Sequence, residues 1–276
     1  MMPARHPLAA FLLTWIALVL SRALAGWLIP LHEPSWSWTW VLFSDGVLAV
    51  VACAMARRST WRGWRLGAAL ALLPMAIEVI NVIEAAAFLP DAHTDLPRLV
   101  TSTLLRFGLV ACALSRVLEG GCHDATLRIE PPQRGTWGIA GRVILGSLAY
   151  AIIYFVAGML VYPWVREFYA GQSLPSPGKV FALQLFVRGP VFVLLCWFVA
   201  KVVARPRPRA AWTVALLFAA ASGVAPLLIP NPYFPDAIRA AHFVEVVCSN
   251  LLFGALMGAL WSAARQSAAA SRAAPG

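Results

Sequence analysis

Charge is scarce in this chain, and acidic charge scarcest of all. Asp and Glu together number 12, and all charged residues make up 12% of the 276 positions, against 61% hydrophobic. Soluble domains carry about 25% charged residues. The shortage therefore excludes a water-soluble globular domain and makes the chain an integral membrane protein. The five cysteines, Cys53, Cys112, Cys122, Cys196 and Cys248, form no C-x-x-C pair. They fall in apolar runs or in a basic loop, which excludes a disulfide framework and reads as buried, inert thiols. Enzyme signatures are missing too: the chain has no G-x-S-x-G elbow, no H-E-x-x-H, no aspartate-rich diphosphate motif and no persuasive Ser/His/Asp order. His242 and Glu245 could supply two metal ligands one turn apart, but two further ligands cannot be named, so no metal site and no cofactor are assigned.

What the chain has in abundance is long apolar runs. Eight stretches reach the roughly 20 residues that a helix needs to cross a bilayer core: 8–29, 37–56, 64–89, 98–118, 136–162, 179–203, 209–230 and 239–264. The expected fold class is an all-α membrane protein of eight transmembrane helices, with little chain left for a soluble domain.

The net charge of +10 does not point to nucleic acid, because its distribution follows the loops. Arg57, Arg58, Arg62 and Arg65 lie between the second and third spans. Arg116, Arg128, Arg134 and Arg142 lie between the fourth and fifth, and Lys201, Arg205, Arg207 and Arg209 between the sixth and seventh. The alternate loops are poor in cations, and one carries Asp91, His93 and Asp95. The positive-inside rule then places both termini in the cytoplasm of a cell with this protein in its inner membrane. The lipid bilayer is the partner that composition requires, and nothing in the sequence sets an oligomeric state. Trp36, Trp38 and Trp40 at one side, and Trp61, Trp64, Trp137, Trp212 and Trp261 at the other, suit the membrane interface. The N-terminus imitates a signal peptide, with Arg5, an apolar run from Leu8 to Leu20 and Ala23-Leu24-Ala25. Arg22 interrupts the approach to that site, so the segment reads as a retained first helix.

A polar linker, 119–135, with Gly120-Gly121 and Pro131-Pro132, divides the chain into halves that resemble each other. Leu42-Phe43, Gly46 and Cys53 match Leu185-Phe186, Gly189 and Cys196 at one constant offset. Pro90-Asp91-Ala92 matches Pro235-Asp236-Ala237, and Phe107-Gly108 matches Phe253-Gly254. The expected organisation is two parallel four-helix repeats, 1–118 and 136–264, followed by a disordered tail, 265–276. Arg188-Gly189-Pro190 stands in the sixth span where Asp45-Gly46 stands in the second. Matched interruptions of this kind mark substrate sites in transporters, because an unwound turn frees backbone groups.

The last span carries the most ordered polar pattern. After the turn residues Asn231, Pro232 and Pro235, and Asp236 in a first-turn position, Arg239, His242, Glu245, Ser249 and Asn250 fall in a sector about 140° wide at about 100° per residue. Charge facing lipid costs about 2.5–3.5 kcal/mol or more per group, so this stripe must face inward. Counting residues inward from the outer end of each span puts Arg22, Asp45, Asn81, Arg106, Arg188 and the Ser249-Asn250 pair at about 10–15 Å depth. Glu84, His242 and Glu245 come out shallower and Glu78 deeper. Three arginines against four carboxylates make the layer nearly electroneutral, as burial demands. One role for it is to bind a small polar or anionic ligand through arginine, as a transporter or permease does. A non-catalytic scaffold locked by ion pairs and a periplasm-facing lipid-modifying enzyme are the alternatives. Glu78, near the middle of the third span, requires a partner, and Arg106 on the adjoining antiparallel span is expected to contact Glu78 or Glu84.

Overall fold

The computed structural model describes residues 7–30, 37–88, 96–118, 136–170, 175–203, 207–230 and 234–273. The linker 119–135 lies outside these residues, as do Trp36, Pro90, Asp91, Ala92, His93, Asp95, Cys122, Arg205, Asn231 and Pro232 and the expectations resting on them. The regular elements described are all helical: α1 Pro7–Leu28, α2 Trp38–Arg57, α3 Gly63–Phe88, α4 Leu96–Val117, α5 Thr136–Ala170, α6 Pro177–Val202, α7 starting at Arg207 and ending with Ala225–Leu228, and α8 Asp236–Ala273. Among the described residues eight helices are long and apolar enough to cross a membrane. The protein is thus a polytopic membrane protein.

Two boundaries differ from the sequence reading. Helix α5 runs to Ala170 through Pro163, eight residues past the expected end. A proline inside a membrane helix is tolerated when neighbouring groups take over the freed carbonyl. Helix α8 continues to Ala273, past the expected end near Ala264, because an alanine-rich segment has the highest helix propensity.

Helix α6 is not uniformly α-helical. Residues Gln184–Arg188 form a π turn in which the Gly189 N–H reaches back five residues to the Gln184 carbonyl. The cause is Pro190, which has no N–H to give and whose ring crowds the carbonyl four residues earlier. A second π turn, Ala220–Val224, precedes Pro226 in α7 for the same reason. Helix α2 passes through Asp45-Gly46 unbroken. The expected pair of matched interruptions is therefore found on the α6 side alone, since glycine without proline leaves the hydrogen-bond ladder intact.

Helix α3 packs along α4, and α1 packs on α2 and α4; in the second half α7 packs along α8, and α5 on α6 and α8. The halves meet where α2 touches α7 and α3 touches α6 and α7. A buried hydrogen bond crosses this junction, from Ser44 Oγ of α2 to the Ala225 carbonyl of α7 at 2.8 Å. That carbonyl lies in the last turn of its helix, where no intrahelical donor follows.

The tightest pairing, α7 on α8, depends on Gly254 and Gly258. A Cβ on Gly254 would lie 2.7 Å from Ala215 Cα, and one on Gly258 would lie 2.6 Å from Ala211 Cα. Without a Cβ the backbones close in, which is how small residues four apart drive helix association in lipid. Aromatic rings fill the centre of the second half: Tyr150, Phe192, Phe218 and Phe253 meet edge to face or tilted at 4.9–5.9 Å.

At the end carrying the α2–α3 and α6–α7 connections, called the basic end below, Ser59 and Val203 form an isolated antiparallel bridge. Arg142 stacks over Trp261 at 5.1 Å and Lys201 over Trp197 at 4.0 Å. Trp64 and Trp212 are exposed, as interfacial anchors are. Trp261, expected to be another anchor, is buried among these groups. Cys53 and Cys196 are buried, whereas Cys112 and Cys248 are exposed on the outer faces of their helices, a correction to the expectation of uniformly buried thiols.

Candidate functional site

The polar layer resolves into two ion-pair clusters and one hydrogen-bonded chain, not one continuous site. The first cluster belongs to α1–α4. Arg22 grips Asp45 with two bonds, Nε to Oδ2 at 3.1 Å and Nη2 to Oδ1 at 2.8 Å. Arg106 donates to the same carboxylate at 2.7 Å and, through Nη1, to Glu78 Oε2 at 2.8 Å. Thr103 Oγ1 donates to the other Glu78 oxygen at 3.0 Å. Asp45 is fully buried and the Arg106 side chain is 3% exposed, so both desolvated charges are met by opposite charge. Two arginines face two carboxylates, and the sum is zero. Arg106 finds Glu78, the pairing that the sequence demanded for a mid-span carboxylate.

The second cluster joins α3 to the π turn of α6. Arg188 Nη1 donates to Glu84 Oε2, Arg188 Nη2 to Asn81 Oδ1 at 3.1 Å, and Gln184 Nε2 to Glu84 Oε1 at 2.7 Å. Gln184 and Arg188 are buried. They stand four residues apart, one helical turn, and the π turn between them sets how both side chains approach α3. Gly189 follows immediately, where a Cβ would come within 3.0 Å of Ser147 on α5. This cluster is incompletely paired: Gln184 Oε1 and Arg188 Nε are buried without a partner. Arg106 Nε in the first cluster is likewise unpartnered, but it lies beside carboxylates that its other two nitrogens already occupy.

The chain runs from α5 to α8. Tyr169 Oη lies 2.6 Å from His242 Nε2, and His242 Nδ1 lies 2.7 Å from Glu245 Oε2. The pair read from sequence as two weak metal ligands thus face each other as hydrogen-bond partners. The Phe234 ring packs on His242 at 5.1 Å, and Phe168 on Phe234 at 6.1 Å. Glu245 lies close enough to Arg188 and to Tyr154 for its charge to act on both. The chain and the second cluster therefore share one neighbourhood, built from α3, α5, α6 and α8 at the end opposite the basic loops.

Comparison with known protein families, with curated proteins and with solved structures finds no match. The chemistry must therefore be argued from the residues.

The remaining members of the stripe separate from this neighbourhood. Arg239 pairs with Asp236 at 2.7 Å on the rim, where Asp236 is 90% exposed. Ser249 bonds only to its own helix, at the Val246 carbonyl, 3.2 Å away. Asn250 is buried, and its Nδ2 has no partner. The stripe does turn inward: Asn250 is buried and Arg239, His242, Glu245 and Ser249 are at most partly exposed, whereas Val244 and Cys248 on the opposite side of α8 are exposed.

Of the residues singled out from sequence, Arg22, Asp45, Glu78 and Arg106 come together in the first cluster, and Asn81, Arg188, His242 and Glu245 in or beside the second. Gln184, Tyr169 and Thr103 went unnoticed. Gln184 had a signal, being one turn before Arg188 on the same span. Tyr169 had none, because it lies beyond Pro163 in a segment read as outside the helix.

Proposed function

We propose that this protein is a small-molecule transporter or permease whose solute site is the Gln184–Arg188 π turn of α6 together with Asn81, Glu84, His242 and Glu245. The observation that carries the reading is that buried polar groups on an interrupted helix, Gln184 Oε1 and Arg188 Nε, are left without partners beside an ion pair. Leaving such a group unmet costs about 1–3 kcal/mol, so its persistence suits a group that meets a solute. The first cluster, in which every carboxylate is gripped, is assigned a structural role. It locks α1, α2, α3 and α4 together, which is the part of the scaffold alternative that the pairing supports.

Charge narrows the solute class. Around the site stand two carboxylates, Glu84 and Glu245, and one arginine, Arg188. An anion would add to a surplus of negative charge, so the favoured solute is small, polar and without net negative charge. The order of neighbours within each half supports a tandem duplication of a four-helix unit. Contacts between α2 and α7, and between α6 and α3, exchange under a two-fold along the membrane normal, as in a self-complementary interface. With the basic loops in the cytoplasm, the site lies in the extracytoplasmic half.

A second reading, an enzyme acting on lipid headgroups, draws on the order of Tyr169, His242 and Glu245, which resembles hydroxyl, base and orienting acid. One experiment separates the readings. In a cysteine-free background, Gln184→Cys is treated with a charged methanethiosulfonate in right-side-out and in inverted vesicles. Labelling from both sides is expected of a transporter. Labelling from the outer side only favours the enzyme, and protection on both sides leaves only a structural network.

A further inference from the structure

His242 is the middle member of a hydrogen-bonded chain whose donors and acceptors can be counted. Glu245, as a carboxylate, only accepts, so the 2.7 Å bond requires the proton on His242 Nδ1. In a neutral imidazole Nε2 is then an acceptor. The 2.6 Å contact with Tyr169 is therefore the phenol O–H donating to Nε2. All three groups are satisfied in this state.

A proton arriving at Nε2 inverts half of the chain. The Tyr169 O–H···Nε2 bond breaks, Nε2–H donates to the phenol oxygen, and the Tyr169 O–H turns away to another acceptor. One proton is taken up, His242 gains one positive charge, and no covalent bond other than N–H is made. Tyr169 changes from a donor committed to His242 into a donor free for something else.

The charged and titratable groups around the chain come from every helix packed against it. From α3 comes Glu84, which pairs with Arg188 of α6, and Arg188 lies within electrostatic reach of Glu245. From α5 come Tyr169, Tyr154 and Tyr150, which are uncharged when protonated, and the exposed, oppositely charged Arg166 and Glu167 of the same turn as Tyr169. On α8 itself Asp236 and Arg239 neutralise each other at the rim. Helix α7, also packed on α8, has its cations Arg207 and Arg209 at the basic end and no titratable side chain at the other. Glu84 and Glu245 against Arg188 leave a net charge of one negative unit, and a proton on His242 brings the sum to zero.

We propose that the Tyr169–His242–Glu245 chain is a proton-binding site, and that proton uptake releases the Tyr169 hydroxyl to the neighbouring solute site. The release of a donor to a solute rests on the transport reading above, whereas the proton switch itself does not. Its ligand class is the proton, which makes the coupling ion of the transporter H⁺.

The test uses the full-length protein in lipid nanodiscs with no solute added. Histidine is labelled with ¹⁵N, and His242 is assigned among the five histidines by its loss in His242→Gln. Spectra are taken between about pH 5 and about pH 8, the range in which an imidazole changes charge. Ring-labelled tyrosine gives infrared difference spectra over the same range, with Tyr169 assigned from Tyr169→Phe. The expected result is a His242 protonated on Nδ1 alone at the high end and on both nitrogens at the low end. The Tyr169 C–O band should shift at the same midpoint, and that shift should be lost in His242→Gln. His242 keeping one protonation pattern throughout, starting with the proton on Nε2, or titrating while the Tyr169 band stays still, overturns the proposal. These readouts come from wild type, so a poorly folding variant removes an assignment but not the measurement. Thiol access from both sides with no titration would leave a transporter not coupled to protons by this chain. Titration without access would leave the proton switch and end the transport reading.

Discussion

At the scale of single residues, burial decides which charges matter. Asp45 is fully buried and held by two arginines, so Arg106→Ala leaves it with Arg22 alone and strands Glu78. Removing one partner of a buried pair costs about 3–5 kcal/mol. Arg106→Ala should lower the unfolding midpoint in detergent by that order, and adding Glu78→Gln should recover part of the loss. An unchanged midpoint in the single variant would remove the structural role assigned to this cluster. Asn250 gives the contrast. Its buried Nδ2 has no partner, so Asn250→Leu should shift the same midpoint by no more than about 1 kcal/mol in either direction. A large loss there would mean that Asn250 meets a group essential to folding. The sequence pointed to the buried charges because charge in an apolar span must be paired. It named Arg106 as the partner of a third-span carboxylate but was silent on Arg22 and Asp45, which meet only once α1 has packed on α2.

Among the helices, the hydrogen-bond ladder and the absence of side chains set the geometry. Pro190 and Pro226 each follow a π turn, which accommodates the missing N–H, and the Gly-Pro step in α6 was legible as an interruption. The consequence, bringing Gln184 and Arg188 together onto Glu84, was not, because a π turn shifts the side-chain register by an amount that a helical wheel does not include. The α7–α8 contact tests the second point. Gly258→Val should separate the two backbones and lower thermal stability, since even a Cβ would fall 2.6 Å from Ala211 Cα. Gly108→Ala, with nothing within 4 Å of the added carbon, should be neutral or stabilising by up to about 1 kcal/mol. Equal effects of the two, read from thermal unfolding in one detergent, would show that close packing at Gly258 is not what holds α8. The Gly254-x-x-x-Gly258 spacing is itself a readable signal for such a contact, and the polar stripe on the same helix overshadowed it.

For the whole molecule, the orientation expected from loop charge is open to a direct test. Reporter fusions after Arg65 or Arg209 should be cytoplasmic, and fusions near His93 or Pro175 should be on the opposite side. Inversion at two of these sites would turn the bundle over and place the solute neighbourhood toward the cytoplasm. The sequence by itself determined the membrane class, the eight spans, the inward face of α8 and the need to pair Glu78. These follow from local physics: hydrocarbon thickness, helical period and the cost of charge in lipid act on each segment alone. Only the tertiary structure decided that the polar layer splits into two ion-pair clusters and a hydrogen-bonded chain, that Trp261 is buried, and that Tyr169 reaches His242. Each depends on how two or more helices sit against one another, and in lipid that arrangement comes from close packing and a few hydrogen bonds between segments far apart in the chain.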